Sequence, residues 1–500
     1  MSKKTSPRAV LSKSTFIRGM QCEKSLYLHK KRPFLRDPLS PEQRAKFSRG
    51  TNVGILAHEL FPGGVNAAPK SHFQMAASAA KTAEWIAAGE TIIYEAAFQY
   101  DGVIIALDIL VKDANGWKAV EVKSSRAVSQ TYLWDAALQY HVITGNGIEL
   151  SDFFIAYMDE NYVRKGALDA ARMFQMQDVL SDVRQRAVVV QEKIGRFKEV
   201  IQLKSSPDIP IGPQCHDPYP CDFIGHCWKK VPAASLFRLR DLPEAQKFEL
   251  YRQGISEAAD IPKEVLSSHP RLPKQVDSLA RNRIIADKER LKAFFEKAAE
   301  PLVFFTALVH QPAVPLYEGS RPYELQPFSL GVSFPGESGR EPLCRVADPK
   351  APMLPGLLKE ILDAAGQAAT VVTFDAAKLQ AILGWFSEKD PSLKTAVQSL
   401  LARLCDLQMP FVDYSVIWPN MPEHHSPEAI LRSMNKKVVS GKEKPATRLE
   451  AALLFQEMAG RPPYENQPAA IASIARYHEL SLLHLKQLWD TLNDIFQEAE

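Results

Sequence analysis

Apolar residues recur in three short runs over residues 91–99, 103–111 and 117–123. Their β-branched content and period of two predict strands. Asp101-Gly102 and Asn115-Gly116 separate the runs, and both are short-hairpin signals, so the three runs predict an antiparallel meander. Around it, apolar spacing predicts helices over 12–30 (with Ser12 or Ser14 as cap), 73–89, 131–145 and 169–204, and a strand over 153–157. A cysteine-rich turn at 211–228 closes this stretch. Residues 231–300 are charged and helix-prone. From about 301, strand-like pieces at 302–309, 329–334 and 370–373 alternate with helical stretches at 354–366 and 376–387. That alternation predicts a second α/β domain, giving three parts: 1–230, a helical connector at 231–300, and 301–500.

Strand parity makes the meander chemically interesting. With Asn115-Gly116 as a two-residue turn, Asp108 faces Lys123 and Leu110 faces Glu121. Side chains alternate along a strand, so Asp108, Glu121 and Lys123 project from one face. A turn moved to Ala114-Asn115 keeps them together. With Asp101-Gly102 as the first turn, Glu95 lies opposite Asp108. Three carboxylates and a lysine thus converge, and crowded like charges are costly unless a cation joins them. Mg²⁺ or Mn²⁺ suits such oxygen ligands, and lowers the pKa of a bound water. Lys123 is placed to neutralise charge developing on a phosphate. An isolated Glu-x-Lys is more often an ion-paired strand face. Asp108, however, is a lone acid inside the apolar run 103–111.

Charge alters this picture little. Lys and Arg number 61 against 58 Asp and Glu, so any nucleic-acid contact must come from local patches such as Lys30-Lys31-Arg32 and Lys229-Lys230. No stretch reaches the roughly 20 apolar residues of a membrane span, and no signal peptide follows the basic start, so a cytoplasmic location is expected. There the six cysteines stay reduced. Cys215, Cys221 and Cys227 cluster, while Cys344 and Cys405 stand apart as core residues.

Asp108 followed by Glu121-Val122-Lys123 resembles the PD-(D/E)xK nucleases, in the branch of RecB-type and CRISPR-associated exonucleases. The resemblance covers about residues 10–230. It implies a restriction-endonuclease-like α/β core that hydrolyses DNA with Mg²⁺ or Mn²⁺, acting on ends or single strands. It makes His58, in Gly54-Ile55-Leu56-Ala57-His58, a metal ligand beside Glu95, Asp108 and Glu121. It makes Gln139, in Leu138-Gln139-Tyr140, the residue that orients Lys123 or contacts DNA. Ile143 stands where related nucleases place a tyrosine, which puts a role for the adjacent Tyr140 in doubt. A subset of the branch holds a [4Fe–4S] cluster on one N-terminal cysteine and three beyond the core, and Cys22, Cys215, Cys221 and Cys227 match that split. A zinc site on four cysteines, or one using His216 or His226, is the alternative.

A wider similarity links the chain to an uncharacterised bacterial family in which a second, RNase H-like exonuclease domain follows. The segment from Pro312 to Tyr323 fits the start of that domain. Its Asp-x-Glu is replaced by Phe305-Thr306-Ala307-Leu308-Val309. Asp406 survives, and the helix around Tyr477-His478-Glu479 lacks the expected aspartate. One acid cannot hold two metal ions. Residues 301–500 are therefore expected to be catalytically inactive and to bind or scaffold, with a protein partner in view. A non-catalytic nucleic-acid-binding or assembly protein is the alternative for the whole chain. An iron–sulfur redox sensor ranks last, because no resolving cysteine pair accompanies the cluster.

Overall fold

A computed structural model describes residues 10–69, 74–336, 339–351, 353, 355–366, 368–422, 425–439, 441, 444–460 and 467–498. The basic start, the first residue of the expected helix 73–89, and residue 354 lie outside the described residues. The chain forms two units, Met1–Lys230 with Ala313–Tyr323, and Val231–Pro312 with Glu324–Glu500. Residues 231–312 thus cluster with the later sheet. The stretch 313–323, read from sequence as the start of a second domain, packs with the first unit.

The first unit is mixed α/β. In chain order it contains β1 (Leu11–Ser12), α1 (Lys13–Gln21), α2 (Glu23–Lys31), α3 (Pro41–Ala57), β2 (Val65–Asn66), α4 (Met75–Ala88) and β3 (Ile92–Tyr100). There follow β4 (Val103–Asp113), β5 (Gly116–Lys123), α5 (Gln130–Gly145), β6 (Leu150–Met158), α6 (Ala170–Met173), β7 (Phe174–Asp178) and α7 (Leu180–Gln202). The sheet runs β2-β3-β4-β5-β6-β7, and β1 adds in parallel to the start of β4. Helices α1, α2, α5 and α7 supply much of the core on one face, where Phe16, Leu26, Leu138 and Phe197 meet Ile105, Leu107 and Phe153. A ring edge of Phe197 approaches α1 so closely that a Cβ at Gly19 would lie 2.8 Å from it.

Two expected helices are broken. The stretch 12–30 divides at Cys22, whose extended backbone both ends α1 and precedes α2. Ser12 caps α1 by accepting the Thr15 N–H. Within 169–204, residues Phe174–Asp178 pair antiparallel with β6 instead of continuing a helix. Asp178 Oδ1 then accepts the Leu180 N–H at 2.9 Å and starts α7. Tertiary pairing at a sheet edge outweighs the local helical pattern there.

The second hairpin also differs from expectation. Asp113 pairs with Gly116, so the turn is Ala114-Asn115. Asp113 Oδ1 accepts the Asn115 N–H at 2.8 Å, and Gly116 takes φ +128°, a region that favours glycine. Every cross-strand partner moves by two, so continuing the register places Asp108 opposite Glu121 rather than Lys123. Parity is unchanged.

In the second unit, helices Glu244–Arg252, Lys263–Ser267 and Leu272–Arg281 enclose a small core around Leu236, Leu250, Ile261 and Leu272. A two-residue ladder joins Ile285–Ala286 to Val416–Ile417. The main sheet contains β8 (Leu302–His310), β9 (Gln326–Ser333), β10 (Leu343–Val346), β11 (Thr370–Thr373) and β12 (Leu404–Asp406). Its order is β10-β9-β8-β11-β12, antiparallel on the β9 side and parallel on the β11 side. The last described helix, α8 (Gln467–Glu498), crosses β8 and β9. Among the described residues no helix is long and apolar enough to cross a membrane.

Candidate active site

Strands β4 and β5 are paired from Asp113/Gly116 to Ile109/Val120, and beyond that point they part. β5 continues beside β6 as far as Lys123, while β1 pairs with Val103 and Ile104 of β4. The gap opens between Asp108 and Glu121. At the same level the side-chain alternation of β3 and β4 slips by one. Ile93, Ile105 and Leu107 belong to the helix-covered core, and so do Ala96 and Leu110, of the opposite parity. The slip centres on Glu95, which is left out of the ladder between Tyr94–Ile109 and Ala96–Leu107 and takes φ +53°. A non-glycine residue held there stores backbone strain, which proteins tend to concentrate at functional sites.

Three donors make four hydrogen bonds to Glu121, which is 2% exposed. Lys13 Nζ donates to both its oxygens, at 2.7 and 2.9 Å, and to the Ala106 carbonyl at 3.1 Å. Lys123 Nζ donates to Oε1 at 2.7 Å, and Gln139 Nε2 to Oε2 at 2.8 Å. Lys123 also donates to Asp135 Oδ2 at 2.7 Å, and its ammonium lies 5.1 Å from the Tyr132 ring centre. Asp108 Oδ2 accepts the Val122 N–H at 2.6 Å.

The charges respond accordingly. Burial and then Glu121 push the Asp108 carboxyl up to about 8. Burial opposes the Glu121 charge, but Lys123 and Lys13 outweigh it and hold this carboxyl below its usual range. Burial likewise opposes the charge on Lys123, yet Asp135 and Glu121 raise its pKa well above the ordinary value. Burial raises Glu95, against the pull of Lys13. Two buried acceptors have no hydrogen-bond partner, Asp135 Oδ1 and Gln139 Oε1. Such orphans are costly, and a cation or an ordered donor would satisfy them.

The structure therefore brings Glu95, Asp108, Glu121, Lys123 and Gln139 into one cluster. It adds two residues that sequence reading missed, Lys13 and Asp135. Both sit on helices facing the sheet, and only the parallel β1–β4 pairing carries Lys13 there. His58 is placed differently. Its ring stacks on Tyr94 with centres 4.0 Å apart, and burial lowers its pKa. Among the described residues no ion pair links it to a carboxylate. Tyr140 packs against the core, as a partly buried neighbour of it. Among the described residues, no three His, Cys, Asp or Glu side chains are placed to hold a single metal ion.

A second cluster lies where α1 meets α2. Cys22, Cys215, Cys221 and Cys227 line one cavity, with Ile209, Pro210, Phe223 and Ile224 among its other walls. All four are free thiols. Burial raises Cys22 and Cys227, and the neighbouring thiols add to both shifts. The loop carrying the three later cysteines is sewn to the helices. Gln21 donates to the carbonyls of Gln214 and Tyr219, and Asp222 pairs with Arg18 and Arg36 at 2.7 Å each. His216 and His226 are not among the cavity's walls. Cys405, by contrast, is buried in the second unit, and Cys344 is half-buried there.

In the second unit, Thr306, Ser329 and His478 form a buried neutral triad. The His478 ring nitrogens hydrogen-bond Thr306 Oγ1 at 2.7 Å and Ser329 Oγ at 2.6 Å. Asp406 accepts the backbone N–H groups of Asp375, Ala376 and Gln408.

Comparison with known proteins adds a partial frame. Residues 309–426 match the model of a domain of unknown function, DUF2779. No curated protein matches the chain. Among solved structures, an alkaline exonuclease from Laribacter hongkongensis is similar at 11% identity, over 37% of this chain and 95% of that one. The TM-score of 0.14 is too low to carry an argument.

Proposed function

We propose that the first unit is a metal-dependent nuclease of the PD-(D/E)xK type, cutting DNA at ends or in single strands. The observation that carries this reading is the gathering of Glu95, Asp108, Glu121 and Lys123 where β4 and β5 part, beside the orphaned oxygens of Asp135 and Gln139. The donor set suits a hard divalent cation. A bound cation would favour the ionised form of Asp108, whose carboxyl burial and Glu121 otherwise push up to about 8. Glu95, Asp108 and Glu121 would hold that ion, and the stacked His58 would need to turn from Tyr94 to join them. Bound Mg²⁺ or Mn²⁺ supplies an acidified water and a polarised phosphate oxygen. Lys123, oriented by Glu121 and Asp135, presents its ammonium to the developing charge on phosphate. Gln139 fixes the Glu121 carboxylate.

The four cysteines would hold a [4Fe–4S] cluster that ties the break between α1 and α2 to the loop at 211–228. Four thiols around one shared cavity, with neither nearby histidine lining it, favour an all-cysteine site over one that uses His216 or His226. For the second unit we favour binding or scaffolding on an RNase H-like frame. The neutral triad and the backbone-committed Asp406 support this part of the reading.

The test is cleavage of labelled single- and double-stranded DNA by anaerobically purified protein, with Mn²⁺, Mg²⁺ or EDTA. Metal-dependent cleavage is expected. Its absence in protein that carries iron and sulfide would favour a non-catalytic nucleic-acid-binding protein. Cys22→Ser is expected to lose iron, sulfide and visible absorbance.

A further inference from the structure

We infer that Lys13 is an internal cation that competes with the divalent ion for Glu121, and so sets how tightly this site takes metal. The inference rests on the nuclease reading of the carboxylate cluster. A carboxylate offers about four lone-pair positions. Those of Glu121 are filled: Lys13 takes one on each oxygen, Lys123 takes the second on Oε1, and Gln139 the second on Oε2. An ion bound by Glu121 must therefore displace a donor.

Geometry selects Lys13 as the donor that leaves. Gln139 is fully buried on α5, and Lys123 is held by a second carboxylate, Asp135, at 2.7 Å. Lys13 lies 4.0 Å from that carboxylate, and its side chain is the most exposed of the three, 25% against 17% for Lys123. It is also the only one that grips both oxygens of Glu121. It stands in the first turn of α1, bridging the Ala106 carbonyl left free by the parting of β4 and β5. Its ammonium thus lies among the acids and balances part of their charge.

The experiment measures Mn²⁺ binding to the full-length protein by electron paramagnetic resonance and calorimetry, without DNA. Lys13→Met removes the charge and keeps the chain length. It should bind Mn²⁺ at least about tenfold more tightly than the wild type, because the ion no longer has to displace an ammonium paired with both oxygens of Glu121. Its metal-free melting temperature should fall below the wild type's, and Mn²⁺ should raise it further than it raises the wild type's. Asp108→Asn in the Lys13→Met background should abolish the tight binding, which places the ion in this cluster. If Lys13→Met does not fold, Lys13→Gln serves, with the same direction of change. Unchanged or weaker Mn²⁺ binding, with the wild type still binding, overturns the inference and leaves the metal site standing. No Mn²⁺ binding by wild type or variants removes the nuclease reading, and the inference with it.

Discussion

Each unit buries a polar cluster against its principal sheet, and the two clusters are opposites. In the first unit the carboxyls of Glu95, Asp108 and Asp135 and the ammonium groups of Lys13 and Lys123 crowd around Glu121, two buried oxygens lack partners, and Glu95 holds a strained backbone. In the second, Thr306, Ser329 and His478 carry no net charge, and both His478 nitrogens are bonded. No space remains there either, since a Cβ at Gly331 would lie 2.9 Å from His478 Nε2. A buried polar network whose members are satisfied stabilises and specifies a core; one with crowded carboxyls and unmet acceptors invites a ligand. The difference separates a candidate reaction site from a sealed structural one.

The comparison is broken most directly by substitution on each side. Asp108→Ala is expected to reduce metal-dependent cleavage at least about a thousandfold while the protein still folds, because under the proposed reading it removes a metal ligand and otherwise costs only the acceptor of the Val122 N–H. Retained cleavage would contradict the assignment. On the other side, His478→Leu should leave the cleavage rate unchanged yet lower the unfolding free energy by about 2–5 kcal/mol, through two orphaned hydroxyls. Urea titrations with a cleavage assay at low denaturant separate the two effects.

The neutral triad also predicts a pH dependence. Burial, with a contribution from Arg448, lowers His478 to about 3, and burial lowers His310 to about 4, both from an ordinary value of 6.5. The unfolded chain therefore binds more protons than the folded one at intermediate acidity. Stability from these residues is fully present above pH 6.5, falls progressively below it, and is fully lost once pH drops through about 4 for His310 and about 3 for His478. Urea midpoints at pH 7.5 and 5 should show this loss, and His478→Leu should flatten it.

The smallest expected effect concerns the later strand of chain in the first unit. Arg164 Nη1 donates to the carbonyls of Pro315 and Leu316, and its backbone exchanges bonds with Gly319 and Ser320. The Tyr323 hydroxyl donates to the Ser124 carbonyl, one residue after Lys123. Arg164→Ala should cost about 1–3 kcal/mol and increase proteolysis within 313–323. An unaltered digestion pattern would show that this strap is held by its apolar contacts instead.

Much of the candidate site was legible because strand parity tolerates error. The turn of the second hairpin lies one residue earlier than Asn115-Gly116, yet a shift of two in register leaves Asp108, Glu121 and Lys123 on one face. Cys22 was legible as a cysteine and not as a helix break, since nothing in the period around it marks an interruption. The strand Phe174–Asp178 was hidden because a short edge strand takes its definition from its partner, β6.

Local pattern and residue chemistry determined the mixed α/β elements, the shared face of the acidic residues, and the lack of any acid in Phe305-Thr306-Ala307-Leu308-Val309. These depend on alternation, turn chemistry and residue identity, all readable within a few positions. Only the tertiary structure decided that Lys13, 108 residues from Glu121, grips both its oxygens. The same holds for Asp135 as the second anchor of Lys123, for residues 313–323 in the first unit, and for His478 between two hydroxyls. Those contacts follow from strand pairing and helix docking across long stretches of chain, for which no local period exists.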